Sequence, residues 1–373
     1  MLHFYKLKYL YKFLLIFFVS NIFNAQNYYL YVASESDDTV SLLKFDGKHI
    51  EEKERISVGI YPTEIEGPHG ITIDPNGKYW YLTLAHGNPY GKLLKYSTQT
   101  NEVIDETTLG LFPASMQISK VTGFLYCVNF NLHGNMKPST FSVVDAETMT
   151  EITQIKTGSM PHGSRVSNDG LKQYSVAMMS GELFEIDALS LNVSRKLSLD
   201  NHSKMDHSKM DHSKMDHDKI NISKIVHSEV KQTWVIPHPK ENFLYISGNG
   251  SDEIIEVDID KWKISKRIKA EKGPYNVEIS PDGKYMLATL KSSGYTAIWN
   301  LKNGSLTNKL KNSTSVPHGI AISADSKFAF VSVEGIGGEP GIVDVIDLNK
   351  KTLIDNVKIG KQAGGIAFWK KEL

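Results

Sequence analysis

One short string recurs along this chain at intervals of roughly 40 to 45 residues, a period that belongs to stacked supersecondary units. Pro68-His69-Gly70-Ile71-Thr72-Ile73-Asp74-Pro75-Asn76-Gly77-Lys78 is matched by Pro317-His318-Gly319-Ile320-Ala321-Ile322-Ser323-Ala324-Asp325. Pro161-His162-Gly163-Ser164 and Pro274-Tyr275-Asn276-Val277 open two further copies, each running on to an Asp-Gly turn. Looser copies begin at Pro113 and Thr233, which makes six in all. Within each copy an alternating segment, a turn of Pro, Asp, Asn or Gly, and a segment such as Phe124-Leu125-Tyr126-Cys127-Val128 follow in order. A third segment ends near an acidic residue (Val343-Asp344-Val345-Ile346-Asp347) and a fourth follows a short turn (Ile354 to Val357). Period-two alternation bounded by turn residues predicts antiparallel strands.

Four strands per repeat predict the blades of an all-β propeller. The ends of the chain supply the seventh blade: Tyr29-Leu30-Tyr31-Val32-Ala33 reads as a second strand lacking a first, and Gly364 to Trp369 as a first strand lacking a second. Pairing them closes the ring and removes the exposed edge. The Pro-His-Gly starts, the Ser280-Pro281-Asp282-Gly283-Lys284 turn and the Asp-ended third strands resemble the YVTN-type seven-bladed propellers over nearly all of residues 27 to 371. That resemblance implies a fold and leaves function open, because propellers carry unrelated chemistries.

Residues 1–25 read as a secretory signal peptide: His3, Lys6, Lys8 and Lys12 precede the apolar run Phe13 to Val19, and cleavage is expected after Ala25. The rival is a membrane anchor, but the run is roughly 7 to 11 residues where a spanning helix needs about 20. Residues 26–373 are then a single propeller in the periplasm or secreted medium, with no membrane span after cleavage. The lone Cys127 permits no internal disulfide and falls in a strand, where packing is its expected role. Lys plus Arg and Asp plus Glu each number 42, so no net field would recruit nucleic acid or an anionic membrane, and a monomer is expected.

Residues 200–225 break the repeat. Here His-Ser-Lys-Met-Asp occurs three times and closes on a further His, placing His202, Met205, His207, Met210, His212, Met215 and His217 in one polar strip. A strip without an apolar run is expected to be disordered without a ligand. Thioethers favour soft Cu(I), and imidazole accepts either oxidation state of copper, so copper is the expected ion, with zinc, nickel or silver as the next choices. The strip resembles the Met/His-rich repeats of exported copper-resistance proteins. The alternative is a replication-slippage insert tolerated outside the fold.

A second candidate metal site lies where the blade starts converge. His69, His162 and His318 should approach the axis beside Tyr275 and Asn276, with His86, His133, Met178, Met179 and Glu334 on the rim above. Each His has an equally concrete structural alternative, a hydrogen bond to the neighbouring blade. The propeller resemblance also brings enzymes into view. Nitrous oxide reductase uses more His than are present here and a Cys-bearing domain that is missing. Copper-dependent methanethiol oxidase is similar in pairing a propeller with His-bound copper. Lactonases need axial carboxylates, of which only Glu334, and more weakly Glu35, stand near the rim. The reading drawn from the sequence is an exported copper-binding propeller acting in copper homeostasis by sequestration or delivery, with other periplasmic copper-handling proteins as partners. A copper oxidase or reductase-like enzyme with an axial His site, and a protein-interaction scaffold, are the two alternatives; a binding role is favoured over catalysis, and no catalytic residue is assigned.

Overall fold

The computed structural model describes residues 26–61, 63–87, 90–200 and 227–372. The expected signal peptide and the Met/His strip, with His202, Met205, His207, Met210, His212, Met215 and His217, lie outside the described residues. The described chain forms 28 strands in seven four-stranded antiparallel sheets arranged as a ring. Blade 1 pairs the C-terminal strand Ala363–Glu372 with Asn27–Ser34, followed by Thr39–Phe45 and Ile50–Ser57, so the closure expected from the two chain ends is present. The inner strands of blades 2 to 7 are Pro68–Ile73, Pro113–Ile118, Pro161–Val166, Gln232–Pro237, Pro274–Ile279 and Pro317–Ile322.

Second strands read as continuous apolar runs because both of their faces are buried. In blade 1, Tyr28, Leu30 and Val32 pack on blade 7, while Tyr31 and Ala33 pack on blade 2. The same division yields seven apolar clusters, one at each junction between blades. Outer strands behave oppositely: Val103–Thr108 is exposed at nearly every position, and its sequence turns polar after two residues. Cys127 is fully buried between blades 2 and 3, and burial pushes its thiol far up, so it sits as a packed apolar group.

The Pro-His-Gly string has a local structural meaning. Register slips between Pro68 and Ile71, Pro161 and Ser164, Pro274 and Val277, and Pro317 and Ile320, so each inner strand is irregular over the two residues after its proline. Such an irregularity re-aims a side chain that a regular pleat would send between blades. The glycine that follows lets the next blade come close. A Cβ on Gly70 would lie 1.8 Å from the carbonyl oxygen of Ala114, and one on Gly365 would lie 2.1 Å from that of His69.

Hydroxyls of the second strands repair the broken ladder. Gly70 N–H donates to Thr83 Oγ1 (2.8 Å), Asn276 N–H to Thr289 Oγ1 (3.0 Å) and Gly319 N–H to Ser332 Oγ (2.9 Å). Thr289 Oγ1 donates onward to His318 O (2.9 Å), and Ser332 Oγ to Gly364 O (2.6 Å), tying each blade to the next. Gly70→Ala is therefore expected to destabilise the ring by about 1–3 kcal/mol through overpacking against immobile backbone. Urea unfolding of the two proteins side by side checks this; equal midpoints would mean the contact is not tight.

Candidate functional site

Two rings of side chains meet at one end of the channel. The first comes from the second residue of each inner strand, in blade order Gly364, His69, Ala114, His162, Thr233, Tyr275 and His318. Small residues at three of these positions leave room for three imidazoles and a phenol. The second ring is the residue immediately after each second strand: Glu35, Ala85, Phe130, Met178, Asn249, Lys291 and Glu334.

The backbone fixes this second ring. The residue before every inner strand has a positive φ, as in Phe112 (52°), Met160 (53°), Val316 (68°) and Gln362 (56°), with Gly67 and Gly273 in two blades. Its carbonyl accepts from the second-ring residue: Glu35 N–H donates to Gln362 O (3.1 Å), Phe130 to Phe112 (2.8 Å), Lys291 to Gly273 (2.8 Å) and Glu334 to Val316 (3.0 Å). A β-branched residue at φ 68° is costly, and such strain persists only where the surroundings impose it.

The polar contacts run across blades. Glu35 is 8% exposed and binds two imidazoles, His69 Nδ1 to Oε2 at 2.9 Å and His86 Nε2 to Oε1 at 2.7 Å. Burial raises the Glu35 carboxyl, yet the charge and hydrogen bonds of His69 and His86 outweigh it and hold the group well below the usual carboxylate range. An ionised carboxylate only accepts, so both ring nitrogens donate to it. The hydrogen bond to Glu35 in turn raises His86.

His162 is 2% exposed, and both of its nitrogens are engaged. Nδ1–H donates to Thr233 O (2.7 Å), and Nε2 accepts from the Tyr275 hydroxyl (2.8 Å). Burial and the nearby His69 push its pKa down to about 3, so it stays neutral, while burial raises Tyr275. On the other side of Tyr275, His318 lies with ring centroids 4.8 Å apart; burial first and then Lys291 lower its pKa well below the ordinary value. Lys291 Nζ pairs with Glu334 Oε1 at 2.7 Å and lies 4.2 Å from the Tyr275 ring centroid.

A cavity of ≈ 50 Å³ opens beneath the first ring, its polar lining drawn chiefly from His69, His162, Arg165, Asn276 and His318. Arg165 forms the deeper layer, 2.8 Å from Glu278 Oε1 and 4.4 Å from the centre of the Trp234 ring. Burial raises the Glu278 carboxyl against the pull of Arg165.

The structure thus brings His69, His162 and His318 together at the axis with Tyr275 and Asn276, and sets His86 at the rim beside them. His133 is exposed, its ring centroid 5.8 Å from that of His86 and 5.5 Å from that of Phe112. Met178 stands in the second ring as expected, but its side chain and that of Met179 pack against an apolar cluster with Phe112, Phe130 and Met160. Among the described residues, no group of three or more His, Cys, Asp and Glu is gathered so as to hold a metal ion. Sequence reasoning passed over Lys291 and gave Glu35 too little weight. Aligning the residue after each second strand would have found both.

The fold is that of an all-β, seven-bladed propeller. No family model matches the chain. Antigen Lp49 of Leptospira interrogans serogroup Icterohaemorrhagiae serovar copenhageni is 21% identical over 225 residues, which is 57% of this chain but only 43% of that relative's length. Among solved structures, hydrazine synthase of Kuenenia stuttgartiensis superimposes with a TM-score of 0.60 at 19% identity, covering 79% of this chain and 80% of that one. A functionally unknown protein from Desulfotomaculum acetoxidans DSM 771 gives 0.68 at 12% identity, covering 91% and 98%. Similarity at these identities speaks for the fold alone.

The Glu35 clamp has a pH signature. The depressed Glu35 contributes stability that is present above the unfolded carboxylate pKa of about 4.3 and lost as pH falls through its lower folded value. The raised His86 contributes below the unfolded imidazole pKa of about 6.5 and loses that contribution as pH rises through its folded value. Glu35→Gln is therefore expected to cost about 2–3 kcal/mol, most of all between those two limits. Urea unfolding of both proteins from pH 4 to 9 measures the difference; a pH-independent gap would dismiss the clamp.

Proposed function

We propose that this chain is an exported copper-binding propeller that sequesters or delivers the ion in the periplasm or the secreted medium. The observation that carries the reading is the threefold His-Ser-Lys-Met-Asp unit, which concentrates thioether and imidazole donors within residues 202–217. Its point of attachment supports the same reading. Asp200 Oδ1 accepts from Ser228 Oγ (3.0 Å), Glu229 N–H (3.0 Å) and Val230 N–H (3.1 Å), so the chain leaves and returns at one place. Ser228 N–H also donates to Met179 O (3.0 Å), which sets that place beside the second ring and on the same face as the His cluster. Export rests on the order of basic, apolar and small residues in positions 1–25.

A second reading, an enzyme centred on the axis, draws on one observation. Glu35, His162, His318 and Tyr275 form a buried group whose protonation is shifted away from ordinary behaviour, and such groups are enriched at catalytic sites.

Elemental analysis of the protein from copper-supplemented cells, with and without residues 201–218, tests the first reading. The full chain is expected to carry several copper ions and the deletion to lose all but about one, because the donor-rich strip is removed. A full chain free of copper would overturn the proposal.

A further inference from the structure

We propose that His69 and His318 together form a seat for one Cu(I) ion at the propeller axis, independent of the Met/His strip. The inference deepens the copper reading by naming a site, a ligand pair and an oxidation state. Two imidazoles fall outside the clusters of three or more donors that the described residues lack, and they suit an ion content with few ligands.

His69 gives Nδ1–H to Glu35, which leaves Nε2 as the ring nitrogen open to a further partner. His318 is 7% exposed, and its Nδ1 is buried without any hydrogen-bond partner, an expensive arrangement for an imidazole nitrogen inside a protein. The two rings lie with centroids 6.0 Å apart at 84°. Between their blades stands Gly364, the first-ring residue without a side chain. A Cβ built on Gly364 would sit 3.9 Å from His318 Cε1 and Nδ1, so the unpartnered edge of that ring faces the gap. Asn276 Oδ1 is also buried and unpartnered, and it lines the same cavity. A third donor is thus within the same wall.

The far nitrogens support the same assignment. Imidazoles that bind metals usually give their other N–H to a carboxylate, which fixes the ring and strengthens the ligand. His69 has Glu35 at 2.9 Å in that place, and His318 Nε2 has Glu334 Oε1 at 3.8 Å. His162 offers the contrast, since Thr233 and Tyr275 take both of its nitrogens. Zinc completes a tetrahedron and would be short of ligands here, whereas Cu(I) accepts two nitrogens with a weak third donor.

The test uses Cu(I) added anaerobically to the full chain and to the chain lacking residues 201–218, with a chromophoric Cu(I) chelator as competitor and X-ray absorption to read the first shell. The expected result is about one Cu(I) held by the deletion protein through nitrogen and oxygen alone, without sulfur. That ion is lost in His69→Ala and His318→Ala, and Glu35→Gln weakens it roughly 10- to 100-fold by loosening His69. Gly364→Ala guards against misfolding as an explanation: its methyl meets nothing closer than 3.9 Å, so the ring keeps its circular dichroism and melting behaviour while the gap narrows and Cu(I) binding falls. A full chain that binds copper while the deletion binds none would sink the axial seat and leave the collecting strip standing. Copper retained unchanged in both His variants would also overturn it. Absence of copper from both proteins would end the two readings together.

Discussion

Neighbouring inner strands approach one another at the axis more closely than any residue with a Cβ permits at Gly70 and Gly365, and the rest of the molecule is arranged around that approach. It forces each inner strand out of register for two residues, which would leave backbone N–H groups unpaired in a dry interior. Thr83, Thr289 and Ser332 supply the missing acceptors. Because Thr289 and Ser332 then donate to the following blade, the repair of one blade becomes the tether to the next. Apolar clusters between blades supply most of the stabilising burial, but they are non-directional. The angular precision of the ring comes from these hydroxyls and from the positive-φ carbonyls that hold the second-ring residues.

The same distortion creates the site. A regular strand would send its second residue between blades; the irregular one carries His69, His162, Tyr275 and His318 to the axis. Contacts between the rings and within each then run from blade to blade, Glu35 to His69 between them, Lys291 to Glu334 within the second and Tyr275 to His162 within the first. These polar groups lie in a poorly solvated place, where an unpaired one costs far more than it would at the surface. That is why the unpartnered Nδ1 of His318 carries information, while the exposed ring of His133 carries little.

Much of the architecture was legible in the sequence because a propeller writes its fold locally and repeatedly. The Pro, Asp, Asn and Gly punctuation, the apolar second strands and the split blade at the termini each survive in a few consecutive residues. The axial grouping of His69, His162 and His318 followed from their shared position in the repeat. What remained hidden depends on register or on contacts between distant segments. Phe112, Met160, Val316 and Gln362 occupy a left-handed conformation that their side chains give no cause to expect, since the closing geometry of the ring imposes it. The separation of His162, with both nitrogens committed, from His318, with one nitrogen bare, is invisible in two nearly identical Pro-His-Gly strings. It turns on what the next blades place there: Thr233 and Tyr275 beside one, Gly364 beside the other.

That difference between equivalent positions is how a repetitive scaffold acquires a single site. Seven identical blades would surround the axis with seven identical groups, a symmetric funnel with no preferred place for one ion. Here Gly364, Ala114 and Thr233 place small groups in blades 1, 3 and 5, at intervals of two, two and three blades, so the remaining groups meet as unlike pairs. His162 and Tyr275 close on each other across the gap at Thr233 and brace the ring. His69 and His318 face across the gap at Gly364, each with a carboxylate behind it, and no hydrogen bond joins them. The first pair has its polar atoms satisfied by each other and by Thr233, whereas His318 Nδ1 is left unpartnered beside the cavity, and it is this difference that the proposed Cu(I) seat rests on.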